Sequence, residues 1–260
     1  MKNKKLFLLD MDGTLYIGDK LFADTPLFLD KIKSNGGKYV FLTNNSSKST
    51  DKYVQKLATL GIHASSDDFL SSTDATIVYI KSNYPDVKFY CMGTASFQSQ
   101  LGKSGIKVTD KIEQGIGGVI ISNDTELSFK KLNDVCEILT TSDVVYIATN
   151  PDWTCPTEYG FVPDCGSFAD IIHRATGKKP YFIGKPRPDM IYLAMDKFGY
   201  SKNDTVMIGD RIYTDIASGA NAGIDTILVL SGESNLLDAE TSDIKPTYVF
   251  DSISDILNLI

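Results

Sequence analysis

Two aspartates, Asp10 and Asp12, stand where the apolar run Phe7-Leu8-Leu9 gives way to Gly13-Thr14. In an extended chain, residues i and i+2 point the same way about 7 Å apart, so both carboxylates can act on one substrate. Open parallel sheets bind ligands at the carboxyl ends of their strands, and this pair follows a predicted strand. An Asp-rich turn that only caps the next element is the alternative, but the Asp-x-Asp-Gly-Thr spacing favours a catalytic role.

Three further polar clusters follow predicted strands, and a parallel sheet brings such loops to one edge. They are Thr43-Asn44-Asn45, Gly184-Lys185-Pro186, and the segment from Gly209 through Asp210 and Arg211 to Asp215. The aspartates at 10, 12, 210 and 215 with Lys185 give a formal charge of -3, and a phosphate dianion would make it -5. Because two unit charges 4 Å apart interact by about 4 kcal/mol at an effective dielectric of 20, we expect a divalent cation. Oxygen ligands favour a hard ion such as Mg²⁺.

Apolar runs alternate with amphipathic segments along the whole chain, which is typical of a parallel sheet covered by helices on both faces. We therefore predict a doubly wound α/β fold. The predicted strands are 5–10, 39–42, 89–92, 118–121, 144–148, 206–208, 226–230 and 248–250. Predicted helices begin at Thr25 and near residues 51, 73, 95, 128 and 188.

Composition narrows the class of partner. A net charge of -7 over 260 residues argues against nucleic acid and anionic membranes, since both require a basic surface. We therefore expect a small-molecule partner. The four cysteines, at 91, 136, 155 and 165, form no close Cys-x-x-Cys pair and are too few to crosslink this chain, so we expect reduced thiols and a cytoplasmic location.

The order of these clusters resembles the haloacid dehalogenase-like (HAD) superfamily of hydrolases. The segment from Asp10 to Thr14 is similar to the family's first motif, Thr43-Asn44 to its second, Lys185 to its third, and Gly209-Asp210 with Asp215 to its fourth. Further segments resemble subfamily IIA, which contains NagD and the para-nitrophenyl phosphatase-like enzymes, and the resemblance covers nearly the whole chain. These segments are Gly13-Thr14-Leu15-Tyr16, Ala148-Thr149-Asn150-Pro151-Asp152, Pro156-Thr157-Glu158, Gly184-Lys185-Pro186 and Gly209-Asp210-Arg211.

The resemblance implies a Rossmann-like catalytic core, residues 1–78 and 182–260. An inserted α/β cap domain of the C2 type, residues 79–181, would lie over the active site. A cap excludes bulk water and presents its own loops to the leaving group. Relatives also use the cap for dimerisation, so a homodimer through the cap is an expectation.

The resemblance also assigns roles to single residues. Asp10 would be the nucleophile that forms an aspartyl-phosphate, and Asp12 would shuttle protons while its backbone carbonyl reaches the metal. The Thr43 hydroxyl and the amides near Asn44 would bind phosphoryl oxygens, and Lys185 would neutralise their charge.

Metal and substrate contacts complete the implied assignments. Asp210 would bind Mg²⁺ directly, and Asp215 directly or through water. In the loop after Ala148, the residues Asn150, Asp152 and Trp153 are candidates for substrate specificity, although Trp153 could equally pack within the protein. For Arg211, a surface salt bridge is favoured over a substrate contact.

The expected function is therefore a Mg²⁺-dependent phosphomonoesterase. It would act on small phosphorylated metabolites, which are nucleotide, sugar or acid phosphates, and on para-nitrophenyl phosphate in vitro. A phosphoryl-accepting regulator that resembles receiver domains is an alternative, because receivers also combine Asp, Thr and Lys around Mg²⁺. Asp12 and the long insertion argue against it. Carbon–halogen cleavage is a second alternative, but it needs neither the second aspartate nor a metal.

Overall fold

The computed structural model describes residues 3–157, 159–257 and 259–260, so Glu158 of the third subfamily-like segment lies outside the described residues. In these residues the strands are β1 Leu6–Leu9, β2 Tyr16–Ile17, β3 Lys20–Leu21, β4 Lys38–Thr43, β5 Phe69–Ser71, β6 Lys88–Met92, β7 Lys107–Thr109, β8 Ile116–Ile121, β9 Val145–Ala148, β10 Thr154–Thr157, β11 Gly160–Pro163, β12 Tyr181–Phe182, β13 Thr205–Gly209, β14 Asp225–Val229 and β15 Tyr248–Phe250.

The α-helices are α1 Thr25–Ser34, α2 Thr50–Thr59, α3 Ser72–Asn83, α4 Ala95–Lys103, α5 Phe129–Thr141, α6 Cys165–Thr176, α7 Asp189–Phe198, α8 Ala217–Ala222, α9 Leu236–Thr241 and α10 Ile253–Ile256. A 3₁₀ turn covers Ser66–Asp68 and a π-helical turn covers Ile212–Ile216. Within the described part of the chain, no helix is both long enough and apolar enough to cross a membrane.

The chain divides into two compact units. The first contains residues 1–43, 50–70 and 185–260, and the second contains 44–49 and 71–184. The expected cap boundaries of 79 and 181 stay a prediction, and the contacts of two elements show why the second unit extends beyond them. Strand β12 pairs in parallel with β9, and Tyr79 of α3 stacks on Tyr181 with ring centroids 4.9 Å apart, so both elements belong to the second unit.

The first unit is built on a six-stranded sheet in the order β15-β14-β13-β1-β4-β5. All four residues of β1 are buried, as expected for the centre of a parallel sheet that is covered on both faces. Leu9 lies level with Phe41 of β4 and Ile208 of β13. The residues that follow these three strands therefore meet at the carboxyl edge of the sheet, as the sequence predicts.

The second unit has its own five-stranded parallel sheet, in the order β12-β9-β8-β6-β7. Its core packs α5 and α6 against this sheet, with Tyr90, Val119, Val135 and Ile172 among the buried residues. An antiparallel hairpin of β10 and β11 follows β9. The protein is thus an α/β fold with a doubly wound parallel core and an inserted α/β domain of the cap type.

Candidate active site

Asp10 and Asp12 stand directly after the central strand β1. The Asp10 amide donates to the carbonyl of Ile208 at 2.9 Å, which extends the sheet pairing by one residue before the chain turns. The turn needs glycine at 13, because Gly13 has φ +85° and a Cβ there would lie 2.4 Å from Asp210 Oδ2. The backbone of this turn therefore packs directly on the carboxylate of Asp210.

Lys185 places a buried ammonium beside Asp10. Its Nζ lies 2.7 Å from Asp10 Oδ1 and 2.6 Å from Asp215 Oδ1, and it also donates to the carbonyl of Leu42 at 3.3 Å. The side chain is almost completely buried, and burial alone lowers the pKa of a lysine. The two carboxylates outweigh that effect and raise the pKa of Lys185, so its charge persists at neutral pH.

Asp210 follows β13, and Asp215 lies on the π-helical turn, a rare conformation that is frequent at functional sites. Carboxylate oxygens of Asp10, Asp210 and Asp215 lie within 4.8 Å of one another. Burial, with the charges of Asp10 and Asp215, raises the pKa of Asp210 to about 8. Burial and Asp10 also raise the pKa of Asp215, to about 6, against the lowering effect of Lys185.

A divalent cation fits this cluster. Asp210 Oδ2 accepts a hydrogen bond from the Glu233 amide at 2.8 Å, but among the described residues its buried Oδ1 has no hydrogen-bond partner. A buried carboxylate oxygen without a donor is costly unless a cation compensates it. The donors are all oxygens, the set that hard cations prefer. Asp10, Asp210 and Asp215 are the side chains that would hold the ion.

The loop after β14 encloses Asp210 from the other side, and it was not among the clusters predicted from the sequence. Ser231 Oγ donates to the Gly13 carbonyl at 2.7 Å, and the Ser234 amide donates to the Asp210 carbonyl at 3.1 Å. A Cβ at Gly232 would lie only 2.0 Å from Asp210 Oδ2. The polar run Ser231-Gly232-Glu233-Ser234 at the end of a predicted strand is the signal that could have indicated this loop.

Arg211 pairs with a carboxylate of that loop. Its Nε lies 2.9 Å from Glu233 Oε2, and Tyr213 OH donates to Glu233 Oε1 at 2.7 Å. Burial opposes the charge of Arg211, but Asp10 and Glu233 together raise its pKa. The ion pair is the role that was favoured for Arg211 from the sequence, although its guanidinium is mostly buried and not at the surface.

Asp12 faces a different set of groups. Tyr16 OH donates to Asp12 Oδ2 at 3.4 Å, and Lys56 Nζ lies 3.8 Å from Asp12 Oδ1. The same ammonium is 4.1 Å from the centroid of the Tyr16 ring. The Asp12 carboxylate is not part of the group formed by Asp10, Asp210 and Asp215. Its expected metal contact through the backbone carbonyl stays a prediction. No motif in the sequence indicated Lys56.

The other sequence-predicted residues divide between the two units. Thr43 ends β4 in the first unit and is buried, at the sheet edge that also carries Asp10. Asn44, the next residue, lies in the second unit, where its Nδ2 donates to Asp152 Oδ1 at 3.1 Å. The predicted phosphate contacts of Thr43 and Asn44 stay predictions.

The three cap candidates differ in exposure. Asn150 is fully buried, accepts from Thr149 Oγ1 at 2.9 Å and donates to Asp164 Oδ1 at 3.1 Å. Asp152 is 7% exposed, whereas Trp153 is 59% exposed. Of these three residues, Trp153 has the side chain with most surface available to a ligand. Their predicted roles in specificity stay predictions.

Comparison with known proteins identifies the family of this chain. Residues 7–107 match the sequence profile of the haloacid dehalogenase-like hydrolases, and residues 182–256 match the HAD-hydrolase-like profile. The chain is 32% identical to an acid sugar phosphatase of Staphylococcus aureus, over 98% of this chain and 97% of the relative. It is similar to the 4-nitrophenylphosphatase of Thermotoga maritima at 35% identity, with a TM-score of 0.92 and coverage of 99% and 97% of the two chains.

NagD of E. coli K-12 is a further structural relative, with 30% identity, a TM-score of 0.88 and coverage of 97% of this chain and 98% of NagD. Each of these relatives spans both units and therefore includes the segments that carry Asp10, Lys185, Asp210 and Asp215. The chain belongs to the haloacid dehalogenase-like hydrolases and, within them, to the NagD-like phosphatases of subfamily IIA.

Proposed function

We propose that this protein is a Mg²⁺-dependent phosphomonoesterase that works through an aspartyl-phosphate on Asp10. The observation that carries the proposal is the position of Lys185 Nζ, 2.7 Å from Asp10 Oδ1 and 2.6 Å from Asp215 Oδ1. One buried cation thereby fixes the nucleophile and joins it to the carboxylate group that suits a hard cation. Such fixed charges are effective where negative charge develops in a transition state.

In the proposed reaction, Asp10 attacks phosphorus with a carboxylate oxygen, and the bond to the leaving alkoxide breaks. Lys185 holds Asp10 in position and offsets negative charge on the phosphoryl oxygens, together with the Thr43 hydroxyl. A bound Mg²⁺ would supply further neutralisation of this charge. Asp12 donates a proton to the leaving oxygen and then removes one from the water that hydrolyses the aspartyl-phosphate.

The electrostatics of Asp12 support this division of roles. Lys56 and Tyr16 place one cation and one hydroxyl beside its carboxylate, whereas Asp10 is held by Lys185. Two carboxylates in different environments can take different tasks, one as nucleophile and one as acid and base. The presence of both Asp10 and Asp12 therefore supports hydrolysis of the aspartyl-phosphate over its retention on the protein.

For substrates, we propose small phosphorylated metabolites, with sugar phosphates first, because relatives of nearly equal length are named acid sugar phosphatases. We further propose that the second unit is the cap domain and that Trp153, with its exposed ring, contacts the leaving group. A cytoplasmic location agrees with the reduced state of the four cysteines but stays a prediction, as does a homodimer through the cap.

The two alternative functions, a receiver-like regulator and a carbon–halogen hydrolase, have less support. The acid sugar phosphatase of Staphylococcus aureus and the 4-nitrophenylphosphatase of Thermotoga maritima are both named for phosphate-ester hydrolysis. Trapping of a phosphorylated protein that persists for minutes would nevertheless favour the regulator. The lifetime of the phosphorylated state therefore separates a phosphatase from a regulator.

The direct test is phosphate release from para-nitrophenyl phosphate by the purified chain. We expect activity with Mg²⁺, loss of activity in EDTA with recovery on adding Mg²⁺, and loss in Asp10→Asn. As a matched control, Asp170→Asn removes a carboxylate that pairs with the exposed Arg174 on helix α6 and should leave the rate unchanged. Activity that survives both EDTA and Asp10→Asn would refute the proposal.

A further inference from the structure

The chain passes between its two units at four points, and two of them adjoin proposed phosphate-binding residues. The first unit ends at Thr43 and resumes at Thr50, and it ends again at Leu70 and resumes at Lys185. Asn44 and Gly184, which belong to the second unit, are therefore each one peptide bond away from Thr43 and Lys185. Because successive Cα atoms are about 3.8 Å apart, a shift of either residue is transmitted directly to its neighbour.

Segment 44–49 is bound to the carboxyl edge of the second sheet. Ser46 Oγ lies 2.9 Å from Thr149 Oγ1, just after β9, and accepts from the Asn123 amide, just after β8, at 3.1 Å. Thr94, after β6, donates to the Ser47 carbonyl at 3.3 Å. Open parallel sheets ordinarily bind ligands at this edge. In the second unit, this edge binds a segment of its own chain.

Asn44, at the start of this segment, is hydrogen-bonded through both its side chain and its carbonyl. Its Nδ2 donates to Asp152 Oδ1 at 3.1 Å, and its carbonyl accepts from Ser72 Oγ at 2.6 Å. Gly184 lies against the same side chain, since a Cβ at 184 would be 2.4 Å from Asn44 Oδ1. The Gly184 amide donates to the Thr149 carbonyl at 2.8 Å. Asn44, which follows Thr43, and Gly184, which precedes Lys185, thus pack against each other within the second unit.

We propose that Asp152 is a positioning residue, which fixes Asn44 and thereby the neighbouring Thr43 hydroxyl for phosphate binding. This inference rests on the proposed phosphatase function and assigns Asp152 a role other than substrate contact. Asp152 and Asn44 are 7% and 6% exposed, so little of either side chain is open to a leaving group. A buried donor and acceptor that satisfy each other have a structural role first.

The kinetic test compares Asp152→Ala with Asp152→Asn on two phosphomonoesters with different leaving groups, para-nitrophenyl phosphate and glucose 6-phosphate. Displacement of a binding group by about 1 Å can cost on the order of 100-fold in rate. We expect Asp152→Ala to lower kcat/KM by about 10- to 100-fold and by the same factor for both substrates. The inhibition constant of inorganic phosphate should rise as well. Asp152→Asn retains an oxygen that can accept from Asn44 and should restore most of the activity.

A substrate-contact role for Asp152 predicts a different result. The loss would then depend on the leaving group, and inhibition by inorganic phosphate, which has no leaving group, would not change. Either finding would overturn the proposal. The matched control is Tyr90→Phe, which removes another buried hydrogen bond of the second unit, from Tyr90 OH to Asp134 Oδ2 at 2.9 Å, and should keep wild-type kinetic constants.

A second readout does not depend on catalysis. Hydrogen exchange measured by mass spectrometry should show faster exchange at residues 43–49 in Asp152→Ala, but not in Asp152→Asn or Tyr90→Phe. Unchanged exchange in this segment would overturn the proposal even if activity falls. If the wild type hydrolyses no phosphomonoester, the proposed function fails. Hydrogen exchange at residues 43–49 still tests whether Asp152 holds Asn44 in place. If Asp152→Ala does not fold, Asp152→Ser, which is too short to reach Asn44, replaces it.

Discussion

The ammonium of Lys185 donates to Asp10 Oδ1 at 2.7 Å, deep enough that only 3% of the lysine side chain is exposed. The contact joins two residues that are 175 positions apart in sequence. Because the same ammonium also contacts Asp215, loss of Lys185 would leave two carboxylates without their common partner. The stability and the chemistry of this site therefore depend on the same group.

Lys185→Met should lower both the stability of the protein and its phosphatase activity. Removing one partner of a buried ion pair costs about 3–5 kcal/mol, so the free energy of unfolding in EDTA at pH 8 should fall by that amount. Phosphatase activity should fall by a factor on the order of 1,000 or more, because the charge on the phosphoryl oxygens loses its compensation. Urea unfolding and phosphate release measure the two effects. Lys197→Met, which removes a largely exposed pair with Asp67, should cost less than about 1 kcal/mol.

Metal-free protein should lose stability as pH rises from the pKa of Asp210 in the unfolded chain to its pKa in the folded protein. The folded state retains a proton on Asp210 up to about pH 8, because burial and neighbouring carboxylates raise its pKa. In the unfolded chain that proton is released near pH 4. Between these limits the folded state binds more protons, so the free energy of unfolding falls as pH rises.

The variant Asp210→Asn isolates this effect from the rest of the protein. In EDTA, its Tm relative to the wild type should increase from pH 5 to pH 8. With Mg²⁺, which binds the ionised carboxylate, the pH trend of the wild type should flatten. A difference in Tm that is constant across this range in EDTA would contradict the assignment of the raised pKa to Asp210.

Gly13→Ala should destabilise the protein more than a second glycine substitution in the same loop region. Gly13 and Gly18 both have positive φ, +85° and +58°, but only at Gly13 would an added Cβ have atoms within 4 Å, namely those of Asp210 and Gly232. Strain alone costs about 1–3 kcal/mol at either position. At Gly13 the contact also displaces Asp210, so metal-induced stabilisation measured by thermal shift should disappear. An equal response of the two variants to Mg²⁺ would argue against this packing.

The proton shuttle should depend on Lys56. Lys56→Met removes the cation that lies 3.8 Å from Asp12 Oδ1, and we expect kcat to fall by about 10-fold because Asp12 loses a group that orients it. Lys52→Met, on the same helix α2 but exposed, should not change kcat. If the two variants have the same kcat, the contact between Lys56 and Asp12 does not contribute to catalysis.

The centre of the site is predictable from the sequence for a simple physical reason. Asp10, Asp210 and Thr43 each lie at the end of a strand of one parallel sheet, so the strand pattern alone brings them to a common edge. Doubly wound topology and the location of the candidate residues follow from the same pattern.

Other features depend on contacts that no periodicity encodes. Lys56 reaches Asp12 from a helix, and Glu233 reaches Asp210 from a loop after a strand that carries no motif. Asn44 resembles a phosphate-binding residue in sequence, yet its side chain is bound to Asp152 in the second unit. The second unit extends past the expected boundary of 181 to residue 184 because β12, only two residues long, joins its sheet through hydrogen bonds to β9.

The most direct test of the proposed mechanism is to identify the residue that carries the phosphoryl group during turnover. The wild type is mixed with para-nitrophenyl phosphate and Mg²⁺, quenched in acid within milliseconds to seconds, digested, and analysed by mass spectrometry. We predict one added phosphoryl group on Asp10, absent from Asp10→Asn and from enzyme quenched before substrate is added. Phosphate release at full rate with no phosphoryl group on Asp10, or with the group on another residue, would contradict the mechanism.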